Sequence, residues 1–425
     1  MSQILLVTIS GKDHPGLTSA FAHTLSETEA TLLDIGQAVI HDALALGLMI
    51  RVSGGKVHDI QRRIDQKAVE LGVTARVSDI SEEEYRRWID KQHKQRFIVT
   101  LLAEQIEAQE LAAVADIFAE RDVNIDTMDR LSSRGSAADV NPRICVEFNI
   151  SGDGVDSAGL RRALLELADR ASFDVAVQQD SIFRRNRRLV VFDMDSTLIQ
   201  MEVIDELARL AGVGGKVSAI TAAAMRGEVD FETSFRRRLA SLKGLPETVL
   251  EEVAGRLPVT PGAHRLLRTL KLLGYKTAIL SGGFGCFARK LQTELGFDFV
   301  YANELRVQDG KICGEAAGEI ITASRKADLL QRIAAEQGLS MEQTIAVGDG
   351  ANDLPMLTIA GLGVAFHAKP LVRERAQHSI SKMGLDALLY LLGIRDRYTE
   401  AQVQNSAAPG VHDTGEGASA TRGTF

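Results

Sequence analysis

Three apolar runs in this 425-residue chain each stop at residues that carry chemistry, and that pattern constrains the fold more than any other feature. Leu189-Val190-Val191-Phe192 runs into Asp193-Met194-Asp195-Ser196-Thr197. A second run ends in Leu280-Ser281-Gly282-Gly283-Phe284, and a third, Ala346-Val347, ends in Gly348-Asp349-Gly350-Ala351-Asn352-Asp353. Short apolar runs bounded by turn residues fit strands buried on both faces. From Arg187 onward such runs alternate with helical spacing, which predicts strands at 188–193, 276–281, 298–301, 344–348 and 362–366. Helices are predicted at 262–273, 285–295, 324–338 and 352–360. The expected domain is α/β with a mainly parallel, Rossmann-like sheet, whose carboxyl strand ends are where ligands bind. The stretch 203–257 is mostly helical and too long for an ordinary crossover, so it reads as an inserted cap. A hairpin is predicted over 302–318, turning at Asp309-Gly310.

The first part of the chain follows another grammar, βαββαβ, and repeats it. Strands are predicted at 3–10, 31–41, 43–53 and 73–80 with helices at 16–29 and 56–72. The order recurs from Arg96, with strands at 97–102, 124–132, 143–151 and 174–182, a helical face on Leu111, Val114, Ile117 and Phe118, and a helix at 157–171. Units of this order pack two helices on one face of an antiparallel sheet, which makes them α+β. The charged linker from Ser81 to Gln95 is expected to be helical. Two successive copies resemble the ACT domain, a small regulatory module that often binds amino acids. The first copy has that family's turn, Gly11-Lys12-Asp13-His14-Pro15-Gly16-Leu17, where exposed helix N–H groups can hold a carboxylate. The same residue types also make an ordinary tight turn. The second copy has Ala103-Glu104-Gln105-Ile106-Glu107 instead, without the Pro-Gly.

Composition excludes several classes. The hydrophobic fraction of 45% and charged fraction of 25% are those of an ordinary globular protein, and the net charge of -8 argues against general nucleic-acid or anionic-membrane binding. No apolar run reaches the ~18 residues of a membrane span. The start Met1-Ser2-Gln3-Ile4-Leu5 lacks a basic leader and reads as a strand. Cys145, Cys286 and Cys313 form no CxxC pair and are expected to be reduced thiols in a cytoplasmic protein. After about Arg395 periodicity fades, and 396–425 is expected to be a disordered tail.

Asp193 and Asp195, two apart after a strand, would repel one another without a cation. An all-oxygen set with Asp349 suits magnesium, and one carboxylate can then act as nucleophile while the other moves a proton. Alone, the Asp-rich run also fits a helix cap after a strand. The Ser281 hydroxyl and the glycine N–H groups beside it suit phosphate oxygens. Lys326, near the start of a predicted helix, opposes the helix dipole and so calls for an anionic partner.

In this order the four stretches resemble the haloacid dehalogenase superfamily of phosphotransferases, over about 187–395. Met201-Glu202-Val203-Ile204-Asp205-Glu206, Phe231-Glu232-Thr233-Ser234-Phe235-Arg236-Arg237-Arg238 and Gly348–Met356 resemble the phosphoserine phosphatase family more closely. That resemblance implies ACT-like domains at 1–82 and 96–183, a phosphatase domain at 187–395 and O-phospho-L-serine as substrate. It implies Asp193 as nucleophile and Asp195 as acid, then base. Magnesium would sit on Asp193, Asp349 and the backbone carbonyl of Asp195, with Asp353 supporting the metal shell. Ser281, Gly282, Lys326 and Asn352 would hold the phosphate, Glu202 the substrate ammonium, Arg238 its carboxylate, and Phe231 would line the cap side. L-serine is expected as an effector near Asp13, Pro15 and Gly16, with a homodimer formed through ACT-like units. Gly283-Phe284-Gly285-Cys286-Phe287-Ala288 also fits a GxGxxA dinucleotide fingerprint, so an NAD-dependent oxidoreductase is a competing reading, as is an amino-acid-sensing binding protein.

Overall fold

A computed structural model describes residues 2–90, 94–134 and 143–399. It divides into two compact units, Met1–Lys94 and Gln95–Phe425. In the first, β1 (Ser2–Lys12), β2 (Thr31–Ile40), β3 (Ala43–Ser53) and β4 (Thr74–Ile80) form an antiparallel sheet in the order β2-β3-β1-β4. Alternate residues of β1 and β3, such as Leu5, Val7, Leu46 and Leu48, face Phe21, Ile60 and Ile64 of the helices Leu17–Ser26 and Val57–Leu71. Gly16 opens the first helix at φ 100°, a left-handed conformation that explains its glycine. The linker is helical over Glu82–Asp90, as expected, and its residues 91–93 lie outside the described ones.

The second unit starts with the repeat of that sheet. β5 (Gln95–Ala103), β6 (Asn124–Arg130), β7 (Ile144–Gly152) and β8 (Phe173–Gln179) lie in the order β6-β7-β5-β8, under helices Ala108–Ala119 and Ser157–Ala168. A seven-stranded sheet follows. Its strands are β9 (Leu189–Phe192), β10 (Lys276–Phe284), β11 (Phe299–Gln308), β12 (Lys311–Ala317), β13 (Thr344–Gly348), β14 (Leu362–Phe366) and β15 (His378–Ile380), in the order β12-β11-β10-β9-β13-β14-β15. Only β11 and β12 pair antiparallel; the other neighbours are parallel. β9 is central and wholly buried: Val190 and Phe192 join one apolar layer, Leu189 and Val191 the other, as a period of two requires. The cap holds helices Val203–Leu210, Gly214–Met225, Phe231–Ala240 and Thr248–Ala254.

Several expectations need adjustment. The strand at 298–301 and the first hairpin arm are one strand, β11, and the turn lies at Asp309-Gly310 as read. The helix expected at 352–360 is a 3-10 turn, Ala351–Asp353, leading into Leu354–Ile359, with Pro355 near its start, where its missing N–H costs nothing. Order continues past Arg395: Asp396 accepts hydrogen bonds from Tyr390 and Arg265, and Thr399 is buried. The remainder of the expected tail, 400–425, lies outside the described residues.

Within the second unit the repeat and the α/β domain share polar ties. Arg184, in the link between β8 and β9, pairs with Glu147 of β7 with both side chains buried. Asp174 of β8 accepts the N–H groups of Ser381 and Lys382 at 2.6 and 2.7 Å, and Asp396 accepts that of Ser133 at 2.8 Å.

Candidate active site

The carboxyl ends of β9, β10 and β13 converge under the cap on a cleft of about 670 Å³. The β9–cap turn carries Asp193, Asp195 and Glu202; the β10 end carries Gly282 and Gly283; the β13 end carries Asp349 and Asn352; the cap contributes Phe231 and Arg238. Eight of the expected residues, Asp193, Asp195, Glu202, Phe231, Arg238, Gly282, Asp349 and Asn352, therefore line one cleft. At its floor Lys326, 1% exposed, donates to Asp193 Oδ1 at 2.8 Å and to Asp353 Oδ1 at 2.7 Å. Burial alone disfavours the ammonium, but the charges and hydrogen bonds of Asp193 and Asp353 outweigh it and raise its pKa above the ordinary lysine value. The Lys326 anomaly at a helix start is thus resolved by two buried carboxylates.

Asp193 Oδ1 also accepts the Met194 N–H at 2.7 Å, so both donors fall on one oxygen and Oδ2 stays available. Thr197 Oγ1 donates to Asp349 Oδ1 at 3.0 Å, and the Gly350 N–H donates to Asp353 Oδ2 at 3.0 Å. Carboxylate oxygens of Asp193, Asp349 and Asp353 lie within 4.8 Å of one another. Burial, then the charges of Asp193 and Asp353, pushes Asp349 up to about 8; burial, then Asp193, pushes Asp353 up to about 7. Three crowded carboxylates, with Asp349 and Asp353 driven toward their protonated forms, are what a hard cation relieves. Asp353, expected only to support the shell, also places a carboxylate oxygen within that 4.8 Å.

Asp195 keeps part of its surface open to the cleft while its carboxyl is enclosed by protein. Desolvation, then the charges of Glu202 and Asp193, raises its pKa well above the usual carboxylate range. Ser196 holds a left-handed φ of 58°, strained for a non-glycine residue, and its Oγ donates to Glu202 Oε1 at 2.9 Å. Desolvation raises Glu202, with Asp193 and Asp205 adding to it and Ser196 and Arg238 opposing.

Ser281 is fully buried, and its Oγ accepts the Gly283 N–H at 2.8 Å, which leaves its own proton to donate. At Gly283 a side chain would begin 2.5 Å from Asp195 Oδ2 and 2.8 Å from Met194 Cε. Gly283 serves that close approach and Gly285 packs against Glu304 and Arg289, so the glycines of the dinucleotide-like pattern have packing roles of their own. Of the three adjacent arginines, Arg238 lines the cleft, while Arg236 and Arg237 are exposed and Arg236 pairs with Glu232. Burial lowers the Arg238 pKa, with Glu202, Asp205 and Asp195 acting against it, and its Nε is buried with no hydrogen-bond partner among the described residues.

Two contributors escape the sequence reading. Ser234, 1% exposed, lines the cleft with its Oγ also unpartnered among the described residues. Its spacing of four from Arg238 on one helix was the available signal. Asn303, 1% exposed, donates to the Gly282 carbonyl and accepts the Ile321 N–H, both at 2.8 Å, and so fixes the β10 loop. No sequence pattern marked it.

Asp13, Pro15 and Gly16 lie in the first unit, with the Asp13 N–H bound to the Asp42 carbonyl at 2.7 Å. The three cysteines are free thiols, and no helix among the described residues is long and apolar enough to cross a membrane.

Comparison with known families and proteins agrees with this geometry. Residues 187–361 match the haloacid dehalogenase-like hydrolase family, and 3–78 and 96–178 match two ACT domain families. A phosphoserine phosphatase of Streptomyces coelicolor is 42% identical over 93% of this chain and 94% of its own. One from Mycobacterium tuberculosis is 40% identical over 93% and 95%. Among solved structures, a HAD family hydrolase of Salmonella enterica serovar Typhi superposes with a TM-score of 0.60 at 32% identity, covering 70% of this chain and 98% of that one. A probable phosphoserine phosphatase of Vibrio cholerae gives 0.56 at 34% identity, with 73% and 90% covered. With two ACT domains ahead of a haloacid dehalogenase-like hydrolase domain, and relatives matched along nearly their whole length, the chain belongs to the phosphoserine phosphatase family.

Proposed function

We propose that the chain hydrolyses O-phospho-L-serine to L-serine and phosphate through an aspartyl-phosphate on Asp193, the last step of L-serine formation. The observation that carries this is one cleft holding both halves of the chemistry. Asp193, Lys326 and Asp353 lie at its floor, and Glu202 with Arg238 lies where an amino-acid head would rest.

Asp193 Oδ2 attacks phosphorus while Oδ1 is held by Lys326 and Met194. Asp195 gives its proton to the serine oxygen as that P–O bond breaks. A water then attacks the phosphoryl group, its proton passes to Asp195, and the Asp193–phosphorus bond opens to release phosphate. The raised pKa of Asp195 suits an acid that must be loaded at neutral pH. Lys326 spends two N–H groups on carboxylates and keeps a third for a phosphate oxygen, beside the Gly282 N–H, Ser281 and Asn352. The Arg238 fork reads the substrate carboxylate, Glu202 its ammonium, and Phe231 closes the cap side. The donor set of Asp193, Asp349 and Asp353, with the Asp195 carbonyl, fits magnesium, which when bound offsets phosphoryl charge and holds it in line.

L-Serine is proposed as an effector at the turn around Asp13, Pro15 and Gly16. A homodimer through the ACT domains is supported by the edge strand β2, which exposes Leu32 (52%), Ile35 (51%) and Ile40 (75%). The free thiols fit a cytoplasmic enzyme. Phosphate release from O-phospho-L-serine, O-phospho-L-threonine and simple sugar phosphates, with and without magnesium, tests the assignment. Release from phosphoserine that needs the metal is expected, and equal release from sugar phosphates would overturn the amino-acid head.

A further inference from the structure

At the end of the seven-stranded sheet opposite the catalytic cleft lies a second and larger cavity, about 1020 Å³, that the chemistry above does not use. Arg188 and Tyr275 stand just before the amino ends of β9 and β10, whose carboxyl ends form the catalytic cleft. Among the described residues five arginines line this cavity, Arg185, Arg188, Arg268, Arg395 and Arg397, and no acidic residue does. Only Arg395 has a carboxylate partner among the described residues, Asp129 at 3.0 Å. Arg188 donates to the carbonyls of Arg185 and Arg187 and lies 5.7 Å from the Tyr275 ring centroid. Arg397 binds the Tyr398 hydroxyl at 2.8 Å, and Arg395 and Arg185 stand close enough to help lower that phenol's pKa after Arg397 itself. Behind them Arg187 is buried, and its Nε lacks a partner among the described residues. Leu272, Leu273, Leu392 and Ile394 complete the wall.

Like charges gathered at this density repel, and among the described residues only the Asp129 carboxylate on Arg395 offsets them. In a chain of net charge -8 such a concentration is not a general surface property. We propose that this cavity is a binding site for a compact oligophosphate, a small molecule carrying two or three linked phosphoryl groups. Guanidinium forks match phosphate oxygens in pairs, and several at once favour linked phosphates over a single one. A long nucleic acid fits less well, because its charge beyond the cavity meets an acidic protein. Free oligophosphate and the phosphate chain of a nucleotide share the chemistry. The two tyrosines and four aliphatic side chains offer a base a surface that a bare oligophosphate does not need.

The test is calorimetric titration of the full chain with inorganic tripolyphosphate, ATP and adenosine. Wild type is compared with Arg185→Glu/Arg268→Glu/Arg397→Glu, whose three positions are exposed and lie outside the catalytic cleft. Saturable tripolyphosphate binding to wild type is expected. It should weaken with added salt and fall at least about tenfold in the triple variant, as the loss of charge-assisted bonds requires. Phosphoserine hydrolysis should be unchanged in that variant. ATP binding tighter than tripolyphosphate identifies a nucleotide, and equal affinities identify the phosphate chain alone. Binding that survives the charge reversal belongs to another site, such as the catalytic cleft, and overturns the proposal. So does an absence of saturable binding by the wild type, or binding of adenosine as tight as that of ATP.

Discussion

At the residue scale, the cleft is organised by where single protons and single donors sit. Both donors to Asp193 fall on Oδ1, so Asp193→Asn should fold normally, with an unchanged thermal midpoint, and lose at least about a thousandfold in phosphate release. Gly283→Ala should reduce kcat more than it raises KM, because its methyl would press on Asp195 Oδ2. Ser234→Ala should raise KM for phosphoserine about two- to tenfold with a smaller change in kcat, the signature of lost binding to the head of the substrate. The acids near the floor also set a pH dependence. Asp349 and Asp353 take up protons near pH 8 and 7 without a cation, and metal binding must displace them. Apparent magnesium affinity should therefore rise from pH 6 to pH 8.5, with proton release on binding; titrations in buffers of different ionisation enthalpy read both.

At the scale of elements, the strands that hold the site were legible because each is short, apolar and bounded by residues unsuited to continue it. β9 and β13 sit within a residue of their expected ends. The placement of Arg238 also followed from sequence, through resemblance and not through spacing. What was not legible depends on contacts between distant segments. Asn303 acts by bridging Gly282 to Ile321, and β15, only three residues long, exists because β14 offers an edge. β15 also carries His378, buried beside Arg161 and Arg187 with its Nδ1 unpartnered among the described residues. Burial, then those two positive charges, lowers its pKa to about 3 from an ordinary 6.5. Between those values the unfolded chain binds a proton that the native state does not, so stability rises with pH through that window and is lost as pH falls. His378 should contribute about 2 kcal/mol of destabilisation at pH 5 relative to pH 8, and His378→Asn should flatten that limb of the denaturation profile.

At the scale of the molecule, the two ACT domains are not equivalent. The second is tied to the hydrolase domain through Asp174, which accepts the Ser381 and Lys382 N–H groups, and the first forms a compact unit of its own. Glu147→Gln would leave the Arg184 guanidinium buried without its partner and should cost about 3–5 kcal/mol, read by chemical denaturation of the second unit. Removing residues 1–94 should leave phosphatase activity near normal while abolishing inhibition by L-serine. Undiminished serine inhibition in that truncation would place the effect at the active site and remove the effector role of the first domain.

During turnover Asp193 should become phosphorylated by O-phospho-L-serine. Rapid acid quench of the enzyme with radiolabelled phosphoserine and magnesium, followed by peptide mapping, detects that intermediate. Acid-stable, base-labile label on the peptide containing Asp193, absent in Asp193→Asn, is the expected result. Full turnover by Asp193→Asn, or label on another residue, would contradict it.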